Sequence, residues 1–323
     1  MKKIFMLVTA AFTIFLSACS FDTFEPIPSK STFISTVNIK DMTISFYDLD
    51  KDMMLPDWKV DRPYVGGMIF PNKDTLLLYG NTLESVDLYS LSKGKKIESW
   101  ETGKGIVNGM LVHNGSEIAF ADQERDSIRF YSLEGKEIKE IKTERDPLTI
   151  LEAEDEQKLY VMSFNHKMLS IIDLENKEKL PGFEIHAAAA GGLLNQQKGE
   201  LWIGGHGKGT TVEERIHVYD LKSGKLKKEI AAAAMPVNFI KNKLSIYVLS
   251  HGSNMLYQLG ENGEIKASIK VGANPFEIEL FDNKLFIAGY DSNDLYIVNP
   301  DNLKIEKTVS VGKGPFQIVT RER

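Results

Sequence analysis

Residues Val271 to Pro315 read VGANPFEIELFDNKLFIAGYDSNDLYIVNPDNLKIEKTVSVGKGP. A turn carrying Gly272 and Pro275 leads into Phe276, Ile278 and Leu280, which alternate with Glu277 and Glu279 in the period of a half-buried strand. Leu285 to Ala288 is an apolar run. Leu295 to Val298 follows the polar turn Asp291-Ser292-Asn293, and Ile305, Lys307 and Val309 alternate again before Gly312-Lys313-Gly314-Pro315 restarts the pattern. Four short antiparallel strands in about forty residues predict one propeller blade.

The unit repeats along the chain. The third strand and its turn recur as SFYDL, DLYSL, RFYSL, IIDL, HVYDL, LYQLG and YIVNP, with turn residues Asp48, Ser90, Ser132, Asp173, Asp220, Gly260 and Asn299 spaced by 39 to 47 residues. The place of Pro275 is taken elsewhere by Tyr64, Ile106, Pro147, Ala189, Pro236 and Pro315, over the same range of spacings. Two separate features thus agree on seven units. Pro315 to Thr320 supplies only an innermost strand, whereas Thr32 to Asp48 begins at a second strand. Joined, they complete one blade and remove the exposed sheet edges. The expectation is an all-β, seven-bladed propeller over 32–320, closed by N- and C-terminal strands sharing one blade.

Repeats of this kind, best seen in KLYVMSFNHKMLSIIDL (Lys158 to Leu174), resemble the YVTN-type propellers and the related NHL-like group. Trp58, Trp100 and Trp202 are never followed by Asp, so the WD-repeat pattern is absent. Nor do three scattered tryptophans supply the recurring docking motif of quinone-dependent dehydrogenase propellers.

The first residues read as an export signal. Lys2 and Lys3 precede an apolar run from Ile4 to Leu16, too short for an ordinary membrane span. Leu16-Ser17-Ala18-Cys19 resembles the lipobox of bacterial lipoproteins, which implies removal of 1–18 and diacylglyceryl attachment to the Cys19 sulfur. Cys19 is the one cysteine, so neither a disulfide nor a thiolate metal site can form within the chain. Ser20 to Ser31, with Pro26 and Pro28, reads as a tether able to reach about 40 Å if fully extended. The formal charge of −6, with both signs mixed along the sequence, argues against a nucleic-acid partner.

In this topology the loop between second and third strands and the turn into each innermost strand share the face around the channel mouth, the expected ligand site. The first set of loops starts at Asn81, Gln123, Phe164, His206, His251 and Tyr290. The turns add Tyr64, Lys104, Arg145, Asn274 and Lys313. The expected ligand-binding residues are therefore His206, His251, Tyr290, Asn81, Gln123, Lys104, Arg145, Asn274 and Lys313, a rim suited to a polar or anionic small molecule or a peptide. His206 and His251, at equivalent positions of consecutive blades and each followed by glycine, are also the candidates for a divalent metal or a general base. His113, His166, His186 and His217 share no register with them and read as surface or strand residues. One blade is enlarged by Gly207 to Arg215, on the mouth face directly after His206. Asp48, Asp173 and Asp220 are expected to accept hydrogen bonds from turn amides on the opposite face. No dinucleotide fingerprint, nucleophile elbow or zinc-helix motif occurs.

Ala187–Ala190 and Ala231–Ala234 are tetra-alanine runs at equivalent inner turns. Alanine is a poor turn residue, and four in a row cannot nucleate a helix. They read as replaced segments, the alternative being chance alanine in two matched loops. The functional expectation is an extracytoplasmic binding or scaffolding module anchored to the bacterial membrane through Cys19. It needs no cofactor, and its partner is an unknown small molecule, peptide or envelope protein. The alternative is a metal-assisted lyase or hydrolase using His206 and His251.

Overall fold

The computed structural model describes residues 23–323; the expected signal segment and Cys19 lie outside the described residues. Seven four-stranded antiparallel sheets form a ring. Blades one to six span 66–101, 106–142, 147–180, 189–231, 236–270 and 275–310. Blade seven joins the C-terminal strand Pro315–Arg321, innermost, to the N-terminal strands Phe33–Asn38, Thr43–Asp48 and Met53–Lys59. In six blades the innermost strand starts where the repeat marker placed it; in blade one it starts at Gly66, two residues past Tyr64.

Apolar side chains pack between adjacent blades. Second strands such as Thr75–Tyr79 and Ile246–Ser250 are buried along their whole length because each face meets a neighbouring sheet. The third strands end in the expected turns. Asp48, Asp173 and Asp220 accept backbone N–H groups three residues on at 2.9, 2.8 and 2.8 Å, which satisfies turn amides and accounts for the recurrence.

Ring closure is reinforced by residues expected to form a tether. Phe24 stacks on Trp58 of blade seven with centroids 4.8 Å apart and lies 6.0 Å from Tyr89 of blade one. Ile27 is fully buried, and its N–H donates to Leu91 O at 2.9 Å. From Thr23 onward the segment is therefore a strap across the closing seam: Phe24 and Ile27 are apolar enough to dock there, which the flanking prolines concealed. Arg321, 2% exposed, ties both chain ends together by donating to Ser31 O at 2.8 and 3.0 Å.

The turns into the innermost strands share a left-handed residue just before the marker. Gly105, Asp146, Asn274 and Gly314 hold this place with φ of 110°, 60°, 51° and 68°. These residue types tolerate that geometry. In blades four and five the place falls to Ala188 and Met235, with φ of 57° and 60°. Four of the six turns thus fill the left-handed place with Gly, Asp or Asn, and two with Ala or Met.

Candidate functional site

The channel is lined by a feature that strict alternation hides. In blades two to seven the innermost strand carries a β-bulge at its second residue, set by register shifts at Ile106/Asn108, Pro147/Thr149, Ala189/Gly191, Pro236/Asn238 and Pro275/Glu277, and opposite Val37/Asn38 for Phe316. A bulge re-aims side chains, and here two successive residues of each blade turn inward. The result is an apolar ring of Val65, Val107, Leu148, Ala190, Val237, Phe276 and Phe316, with a polar tier of Asn108, Thr149, Asn238, Glu277 and Gln317 beside it. Together they enclose a cavity of about 300 Å³.

Hydrogen bonds lock the polar tier from blade to blade. Asn108 Nδ2 donates to Leu148 O at 2.9 Å, Thr149 Oγ1 to Ala190 O at 3.0 Å and Asn238 Nδ2 to Glu277 Oε2 at 3.0 Å. Gly67 N donates to Gln317 Oε1 at 2.6 Å. Two blades place glycine in this tier for lack of room. A Cβ on Gly191 would overlap Val237 O, and one on Gly66 would overlap the Tyr79 hydroxyl and Gln317.

Glu277 faces the cavity, half-buried in the channel wall. Burial, with Glu279 beside it, pushes its pKa up to about 8 against the opposing Asn238 amide; burial likewise lifts Glu279 to about 7. Among the described residues no Lys or Arg forms an ion pair with either carboxyl.

An arc of rings follows the mouth across five blades. Phe164 meets His206 at 5.5 Å, His206 meets His251 at 4.9 Å, His251 meets Phe276 at 5.3 Å and Phe276 meets Phe316 at 4.8 Å between centroids. His251 Nδ1 lies 2.7 Å from Asn274 Oδ1, whose amide nitrogen donates to Asp291. With the Asn274 oxygen as acceptor, Nδ1 is the donor in this contact, and Nε2 is buried without a hydrogen-bond partner among the described residues. His206 Nδ1 is likewise buried and unpartnered, and burial together with His251 lowers the His206 pKa.

The residues expected to bind ligand thus separate. His206 lines the cavity, His251 and Tyr290 belong to the arc, and Asn274 orients His251. Tyr290 is covered by Lys40, whose Nζ lies 4.1 Å from the ring centroid. Gln123 is used within the rim, donating to Pro147 O at 3.2 Å, and the Asn81 carbonyl accepts Gly105 N at 2.9 Å. The cations do not enter the cavity. Lys104 pairs with Glu84 at 3.3 Å, Arg145 with Asp146 at 3.4 Å, and Lys313 is exposed beside Asp41, whose carboxylate accepts its N–H. The cavity is therefore acidic and aromatic, and the rim cations that suggested an anionic ligand stay outside in solvent.

Among the described residues no third His, Cys, Asp or Glu donor joins His206 and His251. The one group of three such residues with mutually close donor atoms is His186, Glu213 and His217. Sequence reading missed it because no shared register links these residues; the available signal was Glu213-x-x-x-His217 straddling the end of the enlarged loop.

Compared with known protein families and with curated proteins, the chain matches none. Solved structures share its architecture. A functionally unknown protein from Desulfotomaculum acetoxidans aligns at 12% identity and TM-score 0.74, covering 90% of this chain and 99% of that one. Apo AztD from Citrobacter koseri aligns at 14% and 0.60, over 91% and 100%. Dihydro-heme d1 dehydrogenase NirN in complex with DHE aligns at 11% and 0.62, over 90% and 75%. At such identities the likeness carries the fold, and function rests on the site.

Proposed function

We propose that the chain is a binding module whose channel takes an amine-bearing small molecule or peptide side chain with an apolar or aromatic body. The observation that carries this reading is the bulge-built cavity, walled by Phe276, Phe316 and His206, with Glu277 at its polar tier and no cation beside it. A carboxyl left without a counter-charge in an aromatic enclosure is a receptor for an ammonium: the rings attract it through their faces, and its arrival offsets the cost of ionising Glu277. Asn238 holds the carboxyl in place. The enzymatic alternative at His206 and His251 finds no third donor there among the described residues.

The repeat resemblance to YVTN-type propellers and the lipobox-like Leu16-Ser17-Ala18-Cys19 support placing this module outside the cytoplasmic membrane, held by a lipid on Cys19. Ligand capture would then occur at the cell envelope. A thermal-shift panel of aromatic and aliphatic amines, paired with the corresponding carboxylic acids, tests the ligand class. Amines should raise Tm in the wild type and lose the effect in Glu277→Gln. Equal stabilisation by the acids, persistence of the amine effect in Glu277→Gln, or no stabilisation by any amine would contradict it.

A further inference from the structure

We infer that His186, Glu213 and His217 form a binding site for a divalent first-row transition ion such as Zn²⁺, separate from the channel. The ligand atoms of the three side chains all lie within 4.8 Å of one another. Glu213 Oε2 is 3.4 Å from His217 Nε2, close to the edge of about 3.3 Å between donors held some 2.0–2.1 Å from a tetrahedral zinc. The two imidazoles lie against each other with ring centroids 4.0 Å apart and an interplanar angle of 22°.

The supporting contacts are those a metal site needs. His217 Nδ1 faces Glu229 Oε1 at 3.3 Å, the carboxylate–histidine arrangement that fixes the ring and leaves Nε2 as the ligand atom. Glu229 is itself held by Arg215. Glu213 Oε1 accepts the N–H groups of Glu214 and Arg215 at 3.1 and 3.0 Å, leaving Oε2 for an ion. The backbone of His186 is pinned by donation to the Tyr219 hydroxyl at 2.9 Å.

Nitrogen accounting points the same way. His186 Nδ1, His186 Nε2 and His217 Nε2 are buried and make no well-formed hydrogen bond among the described residues; the Gly204 backbone lies beside the His186 ring and Glu213 Oε2 beside His217 Nε2, and His217 is only 9% exposed. Buried polar atoms are normally satisfied; one ion would satisfy two of these three at once. The site also gives the enlarged loop a purpose, because Gly207–Arg215 is what carries Glu213 over His217. Two neutral nitrogens and one carboxylate, with a further position open, match the ligand set zinc takes in sites that keep an open position.

The test uses the full chain, stripped with a chelator and titrated with Zn²⁺ and Co²⁺, the latter read by its visible absorption. One equivalent should bind with the band intensity of a four-coordinate site. His217→Ala or His186→Ala should weaken binding by more than about 100-fold, and Glu229→Gln by roughly 10–100-fold, since Glu229 orients the ligand rather than binding the ion. His206→Ala with His251→Ala should leave affinity unchanged. Glu213→Gln, on a surface loop, provides a variant whose folding is not at issue, with circular dichroism confirming the fold of each. Absence of binding to wild type at micromolar metal would overturn the inference. So would affinity that survives Glu213→Gln and His217→Ala, or that depends instead on His206 and His251.

Discussion

His206 and His251 meet edge to face, ring centroids 4.9 Å apart at 88°, though they come from different blades. Burial, with His251 beside it, keeps the His206 pKa below its ordinary value. An unfolded chain, with His near 6.5, then binds more protons than the folded one as pH drops below that value. Stability is full above about 6.5 and falls as pH falls through the lowered folded pKa. Denaturant titrations from pH 7 to 5 should show a shallower loss for His206→Phe than for wild type. Identical pH slopes would mean that the imidazole is not held neutral.

Glu277 has the opposite sign. Its folded pKa, about 8, lies above that of the unfolded chain, near 4.3, so the folded state binds the extra proton between the two. The contribution is fully present below about pH 4.3 and is lost as pH rises through 8. Glu277→Gln keeps the Asn238 contact without an ionisable proton and should gain stability relative to wild type as pH rises from 5 to 8. A variant that merely tracks the wild-type pH curve would show that Glu277 ionises freely.

These two residues mark what the sequence could and could not reveal. The blades were legible because strand alternation and the turn residues at Pro275 and its equivalents depend on local chemistry. The cavity was not, because the bulge turns Phe276 and Glu277 to the same side and so breaks the alternation that assigned them to opposite faces. Aligning the repeats on Pro275 does expose the two columns, Val65 to Phe316 and Asn108 to Gln317, once a bulge is assumed. The side chains of Lys104, Arg145 and Lys313 could not be placed from sequence for a different reason. A turn position fixes where a backbone goes, while a long cationic side chain at the rim is free to find a carboxylate in solvent.

Arg129 should be among the most sensitive positions. Only 2% exposed, it bonds to the fully buried Asp122 at 2.9 Å, to Thr102 O at 2.7 Å and to Glu137 at 2.7 Å. Arg129→Ala strands a buried carboxylate and is expected to cost about 3–5 kcal/mol in denaturant melts. A loss under about 1 kcal/mol, the range of exposed pairs, would show that water replaces the guanidinium.

Ala188 offers a gain. Its left-handed backbone costs an L-residue about 1–2 kcal/mol, whereas removal of one methyl forfeits at most ~0.8 kcal/mol of burial. Ala188→Gly should therefore raise Tm slightly, with a net gain of roughly 0.5 kcal/mol once backbone entropy is included. A drop of about 1 kcal/mol or more would show that the turn does not hold this φ.

The most direct test of the binding account is a crystal structure of the full chain with the most strongly stabilising amine. The prediction is an ammonium within hydrogen-bonding distance of Glu277, its body lying against Phe276, Phe316 and His206. An amine bound on an outer blade edge, or a channel holding only water at saturating ligand, would contradict it.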